Sequence, residues 1–167
     1  MRKALLAAVG VIGLLSPAWA QSGTLSEADR SFLVKESRGA AYELESAKLA
    51  ISKAARADVK SYAEKLVHDH ETYNAALERL GKQEGLTLPT DLDDAEKAHM
   101  ADLKRLDGKA FDALYVKEAV RINADDKKEG AKEKADTKSQ AIKDFMAKFS
   151  DMDAEHEKLA KQLEAKT

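Results

Sequence analysis

Apolar residues recur every three or four positions along most of the chain, which is the period of an amphipathic α-helix. The first such stretch begins near Ser26, where Ser26 and Asp29 have the spacing of a capping box, and it ends around Ala55. The second ends ahead of a loop that contains Pro89. Its inward stripe consists of Val59, Tyr62, Leu66, His70, Tyr73, Leu77 and Leu80. The pattern therefore predicts two long helices in the first half of the chain.

The second half of the chain predicts a short helix followed by two long ones. The short helix lies between Leu92 and Leu106 and stops before Gly108, which can adopt the left-handed conformation. In the third long helix the apolar pattern fades after Asn123, and the segment 124–138 offers almost no apolar residue. We expect this segment to be either a solvated, frayed helix or a partly mobile connection. The final helix carries a stripe of Ile142, Phe145, Phe149, Met152, His156, Leu159 and Leu163.

The composition supports an all-α fold. Alanine, lysine, glutamate and leucine dominate the chain, and no segment alternates β-branched and polar residues as a strand would. The two prolines, Pro17 and Pro89, leave the helical segments uninterrupted. Because the long segments are joined by short loops, we expect an antiparallel four-helix bundle with one additional short helix between the second and third long helices.

The N-terminal residues follow a different pattern. Arg2 and Lys3 precede the apolar run ALLAAVGVIGLL, and the tripeptide AWA supplies the small residues that a signal peptidase requires. This pattern predicts a signal peptide over residues 1–20, cleaved before Gln21, and a single helical domain over residues 21–167. The apolar run is too short to span a bilayer. We therefore expect a soluble periplasmic protein, with the outer membrane as a candidate surface for peripheral contact.

Charge and motif content limit the functions of this domain. The chain has 28 lysines and arginines against 30 aspartates and glutamates, mixed along its length, which is typical of a solvated surface and excludes a nucleic-acid footprint. It has no cysteine, no Gly-x-Ser-x-Gly motif and no phosphate-binding glycine loop. Our first hypothesis is a non-enzymatic binding or envelope stress-tolerance module, for which an envelope protein is a candidate partner.

Several short motifs resemble, in their order and spacing, a family of exported bacterial proteins named domain of unknown function 4142. The resemblance covers essentially the whole predicted mature chain and implies a ferritin-like fold and a periplasmic or outer-membrane location. Where the family pattern usually continues to a further histidine, this chain has Asn123. The matching features are Phe32, Glu43, Leu49-Ala50, Val59-Lys60, Ala63, Asp69-His70, Leu88-Pro89, Phe111-Asp112-x-x-Tyr115 and Glu155-His156.

Two histidines, His70 and His156, lie on the inward stripes and are predicted to be buried, whereas His68 is predicted to face solvent. Each buried imidazole needs a partner, because an unsatisfied polar group costs roughly 1–3 kcal/mol. Glu43 and Glu118 occupy inner positions of their helices and offer one. If both imidazoles are buried and neutral, we expect folding to lower their pKa values.

Two interpretations of these residues stay open. In the first, Glu43, His70, Glu118, Asp153 and His156 hold a single iron, manganese or zinc ion, which would make the protein a mononuclear metal-binding or oxidative-stress protein. A complete diiron site is excluded, because Glu-x-x-His does not occur on two core helices. In the second, both histidines are hydrogen-bonded core residues that fix the register of the helices. We favour the second.

Overall fold

The computed structural model describes residues 25–166, which form five α-helices and no β-strand. The predicted signal peptide and its cleavage site before Gln21 lie outside the described residues. No helix within residues 25–166 is long and apolar enough to cross a membrane. The helices are α1 (Glu27–Lys53), α2 (Ala57–Gln83), α3 (Asp94–Lys104), α4 (Gly108–Asp136) and α5 (Gln140–Glu164).

The predicted stop and start signals set the helix boundaries. At the start of α1 the Ser26 hydroxyl accepts the Asp29 N–H at 3.0 Å, and the Asp29 carboxylate accepts the Ser26 N–H at 2.9 Å. These two bonds are the predicted capping box. Gly108 has φ +59°, so it takes the left-handed conformation between α3 and α4, as expected.

The four long helices contact one another in a closed ring: α1 packs against α2, α2 against α5, α5 against α4, and α4 against α1. The short α3 packs on α1 and α4. The prediction of an all-helical bundle with a short helix between the second and third long helices is therefore confirmed at this level of description.

The buried apolar residues fall into two clusters rather than one. Along α2, Leu66 belongs to the first cluster and Tyr73 to the second, with His70 between them. Along α5, Phe149 belongs to the second cluster and Ala160 to the first, with His156 between them. A layer of polar side chains therefore interrupts the core near the middle of the bundle.

The charged segment after Asn123 is continuous helix, so the helical one of the two alternatives is correct. Pairs of opposite charge hold it in place. Lys127 binds Glu157 of α5 with a separation of 2.8 Å between Nζ and Oε2, and Lys35 of α1 binds Glu129. Because exposed pairs contribute only about 0–1 kcal/mol each, contacts at the end of α4 also matter.

The end of α4 meets the start of α1 through two buried carboxyl groups, Asp29 and Glu133. The Thr137 hydroxyl donates to Asp29 Oδ1 at 2.5 Å. Burial alone would raise the pKa of Asp29, but hydrogen bonds from Thr137 and Ser26 outweigh it and lower that pKa. Burial, followed by a hydrogen bond to Asp29, raises the pKa of Glu133 to about 7. Near neutral pH Glu133 therefore still holds its proton in part, beside an ionised Asp29.

Replacing Glu133 with glutamine should change how stability depends on pH. The pKa of Glu133 is higher in the folded chain than its unfolded value of about 4.3, so the stabilisation from its proton is complete below that value and is lost as the pH rises to about 7. Glutamine keeps an N–H donor towards Asp29 without titrating. We expect Glu133→Gln to be more stable than wild type by roughly 1 kcal/mol at about pH 8 and nearly equal to it at about pH 5.

Urea unfolding at the two pH values measures this difference. Glu164→Gln, at an exposed position of α5, is the matched control and should show no pH-dependent difference from wild type. If Glu133→Gln differed from wild type by the same free energy at both pH values, the raised pKa of Glu133 would be contradicted.

Candidate functional site

A cavity of about 360 Å³ opens between α1, α2, α4 and α5. It lies where the inner side of α4 changes from apolar to charged residues. There α4 contributes Asp126, Gly130 and Lys134 to the wall, and none of these fills the space that a large apolar side chain would fill. The lack of apolar residues in the charged segment therefore leaves a cavity in the folded chain.

Five carboxyl groups line this cavity: Glu36 and Glu43 from α1, Asp126 from α4, and Asp153 and Glu157 from α5. Glu36 and Glu43 are seven residues apart, so they lie on the same face of α1 two turns from each other. The Tyr73 hydroxyl of α2 donates to Glu36. The cavity is thus acidic, with carboxylates from three helices.

Two lysines reach the same cavity, Lys127 and Lys134. Glu157 neutralises Lys127, and the second oxygen of Glu157 binds Lys161 with a separation of 2.7 Å. Lys134 is exposed and lies one turn beyond Gly130. Among the described residues, neither lysine therefore forms an ion pair with one of the other four carboxyl groups of the cavity.

His70 lines the cavity with only 3% of its surface exposed, as predicted. Its Nε2 lies 3.5 Å from Glu43 Oε2, which is long for a hydrogen bond, and its Nδ1 has no hydrogen-bond partner. The ring stacks on His156 with 5.6 Å between centroids. A buried nitrogen without a partner is rare in folded proteins, so His70 requires an explanation beyond core packing.

The second buried histidine, His156, has a partner that the sequence did not indicate. Its Nε2 lies 2.8 Å from Asp69 Oδ2, and Asp69 also binds Lys65 with a separation of 3.0 Å. Lys65 continues to Glu155 of α5, again at 3.0 Å. The interpretation as a hydrogen-bonded core histidine therefore describes His156, with Asp69 as its partner instead of Glu43 or Glu118.

The pKa values of the two histidines shift in opposite directions. Burial lowers the pKa of His156, and the hydrogen bond to Asp69 offsets this only in part. Burial also acts to lower the pKa of His70, but the adjacent Glu43 carboxylate outweighs it and raises that pKa. The expectation of a lowered pKa is confirmed for His156 and wrong for His70, because a carboxylate at close range stabilises the imidazolium.

Crowding of the carboxyl groups raises several of their pKa values as well. Burial, together with repulsion from Glu43 and Asp153, raises the pKa of Glu36 to about 7 against the opposing hydrogen bond from Tyr73. Asp126 and Asp153 are more open to solvent, yet desolvation against the cavity wall and repulsion from Glu43 raise the pKa of both. Near neutral pH some of these carboxyl groups therefore retain protons, which a nearby positive charge would displace.

Glu118, one of the predicted ligands, does not line the cavity. Tyr42 donates to one of its oxygens, and the other lies 2.8 Å from His99 Nδ1 of α3. This cluster attaches the short helix to α1 and α4. The local fold thus uses both oxygens of Glu118 for structure.

Of the five residues predicted as metal ligands, the cavity brings together Glu43, His70, Asp153 and His156, and it leaves out Glu118. Within the described part of the chain, no three histidine, aspartate or glutamate side chains converge closely enough to hold a metal ion. Metal binding by this set therefore stays a prediction.

Glu36, Asp126 and Asp69 were not among the site residues predicted from the sequence. Glu36 carried a usable signal, since it lies seven residues before Glu43 and thus on the same helical face. Asp126 lies three residues after the inward Asn123, which also places it near the inner face. Asp69 gave no comparable signal, because it lies beside the inward stripe and reaches His156 only through the packing of α2 on α5.

Fold and site together define a helical-bundle protein with an acidic cavity among its long helices. The model of the family described as Domain of unknown function (DUF4142) matches residues 14–163, and the chain belongs to this family. The resemblance seen in the sequence motifs is confirmed. Neither a curated protein nor a solved structure matches the chain.

Substituting the two histidines should affect stability with opposite pH dependence. His70 has a raised pKa, so its stabilisation is present below about pH 6.5 and is lost as the pH rises through its folded pKa. His156 has a lowered pKa, so its stabilisation is present above about pH 6.5 and is lost as the pH falls. We expect His70→Gln to be most destabilising at about pH 6 and His156→Gln at about pH 8, by roughly 1 kcal/mol or more.

Urea unfolding of both variants across this pH range provides the measurement. His68→Gln lies on the exposed side of α2 and is the control, with an expected change within about 0.5 kcal/mol at every pH. Parallel pH profiles for His70→Gln and His156→Gln would show that the two imidazoles do not differ in charge.

Proposed function

We propose that the protein is an exported, non-enzymatic binding module of the bacterial envelope, that its binding site is the acidic cavity, and that its ligand carries a positive charge. The signal-peptide pattern at the N-terminus supports export to the periplasm. We also propose that the four long helices form an antiparallel, ferritin-like bundle, which the closed ring of contacts among them supports. Removal of cationic compounds from the periplasm would give such a module a role in envelope stress tolerance.

The observation that carries the proposal is the gathering of five carboxyl groups and one buried imidazole without a hydrogen-bond partner around a single cavity. Like charges held close together in a partly desolvated site oppose each other's ionisation. A bound cation removes this repulsion and lets every carboxyl group ionise. The raised pKa values of Glu36, Asp126 and Asp153 support this reading, since protons occupy the place of the missing positive charge.

A metal ion is the second candidate ligand. The Nδ1 of His70 has no partner, and Glu43 and Asp153 line the same cavity, so these three side chains supply the donor types that iron, manganese and zinc accept. In a metal-binding protein they would hold the ion and neutralise part of its charge. They would have to move closer together to do so, since no metal-binding group of three is formed within residues 25–166.

The test removes two of the five carboxyl groups without removing side-chain volume. Asp126→Asn/Asp153→Asn should fold with at least wild-type stability, because both acids have raised pKa values and their neutral replacements avoid repulsion. We expect the double variant to bind cations about tenfold more weakly or worse, since two nearby charges are lost. Calorimetric titrations with Zn²⁺, Mn²⁺ and 1-hexylamine measure the dissociation constants.

Glu64→Gln/Glu71→Gln is the matched control, because it also converts two carboxyl groups to amides, at exposed positions of α2. This control should bind all three probes as the wild type does. Equal weakening of binding in both double variants would show that the effect comes from net charge and not from the cavity. If the wild type bound none of the cations, the proposed function would be overturned.

A further inference from the structure

The cavity is elongated along the bundle, and α1 gives its length. Phe32, Glu36 and Glu43 all line it, and the eleven residue steps from Phe32 to Glu43 span about 16 Å of helix axis. The carboxyl groups concentrate towards Glu43, where His70 of α2 lies beside them. The cavity is therefore long enough for a small organic molecule and is acidic towards one end.

The opposite end of the cavity is apolar. Phe32 of α1 and Met146 of α5 line it, and Gly130 of α4 has no side chain to fill it. A β-carbon added at Gly130 would lie 3.6 Å from the Met146 methyl group, an ordinary contact distance. Met152 lines the wall on the same helix as Met146. Methionine side chains are flexible and adapt to ligands of different shape.

We infer that the ligand of this cavity is a small organic amine, with its ammonium group among Glu36, Glu43, Asp126 and Asp153 and its hydrocarbon chain against Phe32 and Met146. The inference rests on the proposed function and names the class of cation. Acidic and apolar surfaces line the same cavity, so a molecule with an ammonium group and a hydrocarbon chain contacts both surfaces.

The dimensions favour an organic cation over a bare metal ion. Metal ligands lie about 2.0–2.6 Å from the ion, which requires donors that nearly touch one another. Here the donors are spread around a cavity of about 360 Å³, a volume within the range of roughly 300–1,000 Å³ that is typical of small-molecule sites. Within the described residues no three such donors converge.

His70 completes the acidic end. An ammonium group beside it disfavours the imidazolium form, and the neutral ring with its N–H on Nε2 towards Glu43 carries a lone pair on Nδ1. Neither ring nitrogen has a hydrogen-bond partner, and Nε2 alone lies beside Glu43, so Nδ1 is the one left for a ligand. An N–H of the ammonium group supplies the donor that it lacks.

Lys134 indicates that the amine has one positive charge rather than two. It lines the cavity and lies one helical turn beyond Gly130, towards the apolar end. A second ammonium group at the far end of the ligand would therefore meet both apolar side chains and a like charge. We expect monoamines to bind more tightly than diamines of the same length.

A set of matched probes tests the inference by calorimetry on the purified chain at neutral pH. Butylamine, 1-hexylamine and 1-octylamine should bind progressively more tightly, by roughly threefold per added methylene group while the chain stays inside the cavity. 1-Hexanol, which has the chain without the charge, and ammonium chloride, which has the charge without the chain, should bind at least tenfold more weakly than 1-hexylamine. 1,6-Diaminohexane should also bind more weakly than 1-hexylamine.

Gly130→Leu isolates the apolar end, because it places a branched side chain in the space beside Met146 and leaves every carboxyl group intact. This variant should lose the dependence on chain length and bind 1-hexylamine at least tenfold more weakly. Ala135→Leu, at an exposed position of the same helix outside the cavity, is the control and should bind as the wild type does.

The outcomes separate this inference from the proposed function. Binding of Zn²⁺ or Mn²⁺ without any effect of amine chain length would overturn the inference and leave the cation site in place. Equal affinity for 1-hexanol and 1-hexylamine would show that charge does not select the ligand, and it would also overturn the inference. Absence of binding by every cation would overturn both.

Discussion

The contact between Glu43 and His70 is the interaction on which the middle of this bundle depends. A carboxylate and an imidazole face each other across α1 and α2 at a position where both side chains are largely buried. Burying the carboxylate or the imidazolium alone would cost desolvation free energy, and each charge lowers the cost of burying the other. The two apolar clusters of the core lie on either side of this contact, so it marks the place where the bundle changes from packed interior to polar layer.

The polar layer explains why one cavity collects so much charge. On α4, the residues after Asn123 that face the bundle are too small or too polar to fill the space that α1, α2 and α5 enclose. The helix nevertheless continues, because ion pairs to α1 and α5 and the buried pair of Asp29 and Glu133 hold its second half against its neighbours. The side chains in this half of α4 do not fill the interior as a well-packed core requires, and such departures from good packing are typical of functional sites.

The two histidines show that the sequence predicts the burial of a side chain but not its partners. Both were expected to be buried from their positions on apolar stripes, and both are. Their different chemistry depends on which acid lies across the helix interface. His156 meets Asp69, which accepts a hydrogen bond at 2.8 Å, whereas His70 lies 3.5 Å from Glu43 and has no hydrogen-bond partner on either nitrogen. Glu118 shows the same point, since its inner position was predicted but its partners, Tyr42 and His99, were not.

The sequence by itself determined the helices, their capped ends at Ser26 and Gly108, the family, and the inward direction of His70 and His156. These features follow from periodicity and from local backbone chemistry, which act over a few residues. Only the tertiary structure decided that α4 stays helical past Asn123, that Asp126 joins Glu36 and Glu43 around one cavity, and that Glu118 lies outside it. The physical reason is that helical spacing gives the direction of a side chain, whereas its partners depend on the rotation and register of neighbouring helices.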